Sequence, residues 1–255
     1  MPLLSIITIN YNNAKGLQKT IESVVNQSFK DYEYIIIDGG SNDGSKDIIH
    51  TYNSYFHYAT SEPDNGVYHA MNKGVKTANG TYLLFLNSGD VLYHNETLLE
   101  LAQQVNEKPN YDIYYSNLLL SDPHTQTERL HRCPEKLTLS FFLNSFIGHP
   151  AALIKRATFN NMGAYAEHYD IISDWLFFVK AFLKGYSFQY VNLTVATFFL
   201  DGISSEGNQK HSEELQKVYQ KELNFIAEDV VILKRFNARP HQWIAKLLSY
   251  IRKND

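Results

Sequence analysis

Apolar residues along this chain follow two different periods, and the balance between them changes near residue 90. Before that point, short apolar runs of strand length alternate with stretches in which apolar side chains recur every three or four residues, the signature of βαβ units and a parallel sheet. The runs predict strands at residues 3–9, 34–38, 57–60 and 82–86. Between them Leu17, Ile21, Val24 and Val25 share one helical face, Ser45 can open a helix reaching residue 50, and residues 67–77 read as a third helix. Crossovers this short are right-handed.

After Asp90 the pattern loosens. It predicts a helix at residues 97–105, a strand at 112–120 and a polar turn at 121–127 that folds the chain into a hairpin, so the sheet is expected to be mixed. A short helix at 139–143, a strand at 151–154, a helix at 174–183 and a pair of apolar segments at 188–191 and 195–200 follow. The residues from about 206 onward read as helical, with Pro240 at the first turn of a final helix. The expected fold class is therefore α/β, a Rossmann-like mixed sheet flanked by helices over residues 1–205, with a helical C-terminal segment at 206–255.

Composition narrows the partners. A chain of 255 residues suits one elaborated α/β domain, and a net charge of −4 argues against nucleic acid held by a global basic field. Cys133 is the single cysteine, which leaves no intrachain disulfide and no thiolate zinc site and suits a reducing compartment. The chain enters its first strand without a basic leader, and no apolar run approaches the roughly 18 residues of a membrane span, so the expected location is the cytoplasm. Residues 239–253 combine an apolar face (Trp243, Ile244, Leu247, Leu248, Ile251) with Arg239, Lys246, Arg252 and Lys253. Such a helix either packs on the domain or rests on the inner face of an anionic membrane as a peripheral anchor.

The chemistry-bearing residues cluster where strands end, which is where open α/β sheets bind ligands. The first strand runs into Thr8, Asn10, Tyr11, Asn12 and Asn13, a hydroxyl, three amides and a ring able to stack on a base. The second ends in Asp38-Gly-Gly-Ser-Asn-Asp-Gly-Ser45. Its glycines permit tight turns, Asp38 offers an acceptor for a nucleobase N–H or ribose hydroxyls, and Asp43 and Ser45 suit a helix cap. The third leads to Asp64, Asn72 and Lys73. Asp64 fits a turn or N-cap as well as a ligand site, and Lys73 has the reach to meet a phosphate. The fourth stops at Asn87-Ser88-Gly89-Asp90.

Taken in order, Ser5-Ile-Ile-Thr-Ile-Asn-Tyr-Asn12, Ile37-Asp-Gly-Gly-Ser-Asn-Asp-Gly-Ser45, Ser61-Glu-Pro-Asp-Asn-Gly66 with Ala70-Met-Asn-Lys-Gly74, and Phe85-Leu-Asn-Ser-Gly-Asp90 resemble the family 2 glycosyltransferases of the GT-A fold, in particular bacterial members that assemble surface polysaccharides. The resemblance is close over the first 90 residues and looser to about 205. It divides the domain into a nucleotide-binding half, 1–90, and an acceptor half, 91–205. It implies that Thr8, Asn10, Tyr11, Asn12 and Asp38 hold the nucleoside of a nucleotide diphosphate sugar, most simply a UDP-sugar. It further implies that Asp64, Asn72 and Lys73 line the donor pocket and that residues 87–90 occupy the Asp-X-Asp metal motif. Asn87 and Ser88 replace the first acid there, leaving Asp90 as the carboxylate for a divalent metal, manganese or magnesium, that neutralises the leaving diphosphate.

The same resemblance makes Asp174, in Ser173-Asp-Trp175, the base for inverting transfer of a hexosyl or N-acetylhexosaminyl group to a saccharide or lipid-linked acceptor. A helix N-cap role competes for it, and Asp170 is the fallback base. His149, in Gly148-His-Pro-Ala, stands where it can meet donor phosphate or acceptor. Asp201-Gly-Ile-Ser-Ser205 has the small, polar content of a closing loop. Two other readings stay open, a non-catalytic nucleotide-sugar binding scaffold, suggested by the reduced metal motif, and a nucleotidyltransferase. The latter needs a basic, glycine-rich loop that residues 8–13 lack.

Overall fold

The computed structural model of the chain describes residues 1–200 and 208–224. The predicted closing loop at 201–205 and the basic amphipathic helix at 239–253 lie outside the described residues.

The first half forms as its pattern predicts. Strands β1 (Leu4–Asn10), β2 (Tyr32–Asp38), β3 (Tyr58–Ser61) and β4 (Tyr82–Phe85) alternate with helices α1 (Ala14–Val25), α2 (Ser45–Thr51) and α3 (Val67–Thr77). The strands lie parallel in the order β3-β2-β1-β4. Both faces are covered, so the strands read as continuous apolar runs. Ile7, Ile9, Ile35, Ile37, Leu83 and Phe85 point to the α3 side, while Leu4, Ile6, Tyr34, Ile36, Leu84 and Leu86 point to the side of α1 and α2. Each fully buried side chain of this kind contributes roughly 1.5–3 kcal/mol.

The second half adds β5 (Val91–Leu92), α4 (Thr97–Glu107), β6 (Ile113–Asp122), β7 (Thr127–His131), α5 (Leu139–Asn144), β8 (Ala152–Lys155), α6 (Arg156–Met162), α7 (Ser173–Leu183), β9 (Phe188–Phe199) and α8 (Asn208–Lys221). β8 pairs antiparallel with β4 and β6, β9 runs parallel to β6, and β7 closes the predicted hairpin on β6, so the sheet is mixed. The expected pair of segments at 188–191 and 195–200 is one strand. β9 stays on β6 throughout because register shifts on either side of the Asn117–Thr194 pair absorb its extra residues, the polar Asn192 among them. β5 and α6 escaped the sequence pattern, the first because two residues carry no period, the second because Arg156–Met162 is largely polar. α8 continues the core, since Val218 and Leu223 are buried against the α7 layer. Among the described residues no helix is long and apolar enough to cross a membrane.

Candidate active site

Pairing places Asn10 beside Asp38 and Asp38 beside Ser61, so three polar side chains form a row at the carboxyl edge of the sheet. Asp38 is fully buried and accepts four hydrogen bonds: Asn10 Nδ2 at 2.7 Å, Ser41 Oγ at 2.6 Å, Ser41 N at 3.0 Å and Ser61 Oγ at 2.5 Å. Burial opposes its ionisation, but the bonds from Ser41, Ser61 and Asn10 prevail and hold its carboxyl below the usual carboxylate range. With these four acceptor positions filled from within the protein, Asp38 acts here as the anchor of the turn. Thr8 is likewise fully buried, its hydroxyl 2.7 Å from the Leu86 carbonyl and 3.0 Å from Tyr34 Oη, so it staples strand ends.

Tyr11, by contrast, is 65% exposed. Asn12 holds a positive φ of 48°, donates its N–H to Ser41 Oγ and accepts from Asn42 N, which presents Tyr11 outward. A Cβ at Gly39 would lie 2.8 Å from Asp64 Oδ2 and 3.1 Å from the Tyr11 ring. The glycine therefore leaves a floor between the ring and Asp64, whose other oxygen accepts from Gly66 N. Asp43 bonds Ser45 N and Ala14 N, serving helix starts as expected.

Residues 87–90 form a tight turn in which Asp90 N–H donates to the Asn87 carbonyl at 2.9 Å and Gly89 takes φ 109°, a left-handed conformation that favours glycine. Thr20 of α1, which the sequence pattern did not single out, binds this turn. Its hydroxyl lies 2.7 Å from the Asp90 carbonyl and 2.9 Å from Gly89 N. Ser88 is held through its backbone, by Ile9 O and Asn13 Nδ2. Asp90 is 5% exposed, and the Oδ1 atoms of Asn87 and of Asn10 are buried without a hydrogen-bond partner.

Facing this turn stands His149, in a single 3-10 turn (His149–Ala151) before β8. Its Nδ1 lies 3.1 Å from Asp174 Oδ2 and its Nε2 lies 3.9 Å from Asp90 Oδ2. Asp174 sits in the first turn of α7 behind Ile172, which occupies the N-cap position, so the competing N-cap role does not apply. Its other oxygen accepts from Tyr68 Oη at 2.8 Å. Burial pushes the Asp174 pKa up, but bonds from His149 and Tyr68 and the His149 charge bring it below the ordinary value. Burial works against charging His149, yet the Asp174 bond and the Asp174 and Asp90 charges raise its pKa. Tyr68 of α3, which the sequence analysis did not single out, is the missed member of this group, and its helical setting gave no signal of the hydroxyl's partner.

Several predicted residues are paired within the protein. Asn72 is spent on Tyr165 N, Tyr165 O and Glu167, tying α3 to the segment before α7. Lys73 pairs with Glu62. Asp170, the fallback base, is exposed and paired with Lys210 at 2.5 Å. Glu214 of α8 was not anticipated. Its carboxylate accepts from the backbone N–H groups of Asp170, Ile171 and Ile172 at 2.8, 3.1 and 3.3 Å, at the start of α7.

The parallel half of the sheet gathers an exposed tyrosine, a glycine floor and a turn ending in a buried carboxylate at its carboxyl edge, where open α/β sheets bind ligands. The family model described as "Glycosyl transferase family 2" matches residues 5–185, and the chain belongs to that family. A "PGL/p-HBAD biosynthesis glycosyltransferase" of Mycobacterium tuberculosis is 31% identical over 204 residues, 77% of each chain. Among solved structures, S. aureus TarS 1–349 in complex with UDP-GlcNAc superposes with a TM-score of 0.64 at 20% identity, covering 82% of this chain and 60% of that one. The mannosyltransferase PcManGT from Pyrobaculum calidifontis, in complex with GDP-Man and Mn2+, gives 0.60 at 15% identity, covering 85% and 61%. The chain thus spans less than two thirds of either structure, and what they share with it is the GT-A fold.

Proposed function

We propose that the protein is an inverting, metal-assisted glycosyltransferase that moves a hexosyl or N-acetylhexosaminyl group from a UDP-sugar to a saccharide or lipid-linked saccharide acceptor in surface polysaccharide or glycolipid assembly. The observation that carries this reading is the pair of carboxylates on either side of His149, the buried Asp90 at 3.9 Å and the partly buried Asp174 at 3.1 Å. One suits the leaving diphosphate with its cation, the other the acceptor. The UDP-GlcNAc complex of TarS and the mycobacterial relative's name support the donor and the pathway class.

In this reading Tyr11 stacks on the base above Gly39, and Asp64 borders the same floor. The residues at the fourth strand end fit a divalent cation: a buried carboxylate, Asp90, and a buried, unpartnered amide oxygen, Asn87 Oδ1. When bound, the cation supplies charge neutralisation to the departing diphosphate. Asp174, held as a carboxylate, takes the proton of the acceptor hydroxyl as that oxygen bonds to the anomeric carbon and the bond to the diphosphate breaks. A carboxylate has about four acceptor positions, so the bonds from Tyr68 and His149 leave room for that proton.

The test is a thermal-shift panel with UDP, GDP, dTDP and CMP, with and without Mn2+ or Mg2+, since a ligand that binds only the native state raises apparent stability. The reading expects one nucleoside diphosphate to act, more strongly with metal. Turnover should fall by roughly 10²–10⁴ in Asp174→Asn with the UDP-induced shift retained. Retained turnover would remove Asp174 as base, and no shift with any nucleotide would remove the donor site.

A further inference from the structure

His149 Nε2 is buried and has no hydrogen-bond partner. Buried polar atoms without partners are rare in folded proteins, and each calls for an explanation. Asp90 Oδ2 stands 3.9 Å away, beyond hydrogen-bond range. The ring cannot turn this nitrogen elsewhere, because Nδ1 is held by Asp174 Oδ2 at 3.1 Å and Asp174 is itself held by Tyr68. A carboxylate is an acceptor, so Nδ1 carries the donated proton, and in the neutral ring Nε2 presents its lone pair toward Asp90.

We propose that His149 is a further protein ligand of the divalent cation, bound through Nε2 beside Asp90, with Asp174 fixing the ring. This inference rests on the donor-site reading above. Metal-ligating histidines commonly donate their other N–H to a carboxylate, which sets the tautomer and the ring orientation, and Asp174 stands in that relation to His149. Nitrogen and oxygen ligands bind such ions at about 2.0–2.2 Å, so two ligands of one ion lie no more than about 4.4 Å apart. The 3.9 Å between Nε2 and Asp90 Oδ2 falls within that limit. Among the described residues no group of three His, Cys, Asp or Glu side chains is placed to hold a metal, so protein ligands alone do not complete a site. That suits an ion completed by diphosphate and water. It also accounts for a motif with a single acid: the imidazole, 62 residues after Asn87 along the chain, supplies a ligand in place of the missing carboxylate.

The full chain, with Mn2+ and UDP as the probes, would be examined by electron spin-echo envelope modulation. Bound manganese should show 14N coupling beside the 31P coupling of the diphosphate, absent from Mn2+ and UDP without protein. Labelling the chain with 15N-histidine should replace the 14N signal, a result that requires no variant to fold. In His149→Gln the nitrogen coupling should vanish, and Mn2+ affinity in the presence of UDP should fall by at least about tenfold. Bound manganese with 31P but no 14N coupling overturns the His149 assignment and leaves the transferase reading standing. Nitrogen coupling that persists in His149→Gln also overturns it. No protein-bound manganese in the presence of UDP would overturn both this assignment and the metal-assisted reading.

Discussion

Replacing Glu214 by Gln isolates the contribution of α8 to the site. The change keeps the shape of the side chain, but one of its two oxygens becomes an amide nitrogen. The carboxylate now serves three backbone donors, Asp170 N through Oε1 and Ile171 N and Ile172 N through Oε2, in a position only 5% exposed. If the Gln oxygen takes the Oε2 position, its NH2 faces Asp170 N–H, donor against donor. An unsatisfied buried donor costs about 1–3 kcal/mol, and the two surviving bonds lose their charge-assisted share, about 1 kcal/mol each. The sum, roughly 3–5 kcal/mol, corresponds to a fall in Tm of about 6–20 °C for a chain of this size. Circular dichroism melts at pH 7 measure it directly. Because Ile171 O also receives the Tyr68 hydroxyl and Asp174 follows three residues later, kcat at 25 °C should fall while UDP binding holds. A Tm within about 2 °C of the parent would refute the argument, showing that the three N–H groups find water or other partners at no cost.

Three further outcomes follow from the geometry. A Cβ at Gly74 of α3 would stand 2.5 Å from Ile7 Cγ2 of β1, so Gly74→Ala should destabilise by about 1 kcal/mol, overpacking exceeding the helix-propensity gain; a more stable variant in urea titration would contradict this packing. Tyr11→Ala should weaken UDP binding by about 1–3 kcal/mol, roughly 5–150-fold by calorimetry, with Tyr11→Phe near the parent, whereas equal loss in both would point away from stacking. Asp38, Glu33 and Asp112 all have pKa values lowered in the fold: burial opposes ionisation in each, and hydrogen bonds from Ser41, Ser5 and Ser187 respectively lead the effects that outweigh it. Lowered folded values mean stability that is fully present above the unfolded carboxylate values and lost as pH falls through the folded ones. Urea midpoints should therefore hold between pH 7 and about 5 and drop steadily below about 4, with a shallower drop in Asp112→Asn.

The strand and helix rhythm of the first half was legible because both faces of its sheet are buried, which leaves long apolar runs with abrupt polar ends. Helix 67–77 and the four strands lie within two residues of where the pattern predicts them. The same polar ends marked Tyr11, Asp64 and Asp90 as a group, since residues at successive carboxyl ends of parallel strands must share one edge. Which of the polar residues at that edge are consumed by bonds within the protein was not legible. Thr8, Asp38 and Asn72 carry the same chemistry as Tyr11 and Asp64, and only tertiary packing turned them inward to staple strands and turns. His149 and Tyr68 meet Asp174 from segments 25 and 106 residues away along the chain, and Glu214 meets the start of its helix from 40 residues beyond it, separations at which local pattern carries no information. Local periodicity reports which side of an element is apolar, and so the sequence by itself determined the layers and the edge where chemistry gathers. Hydrogen-bond partnership across layers depends on distances set by the whole packed core, and so the order Asp90, His149, Asp174, Tyr68 was decided by the tertiary structure alone.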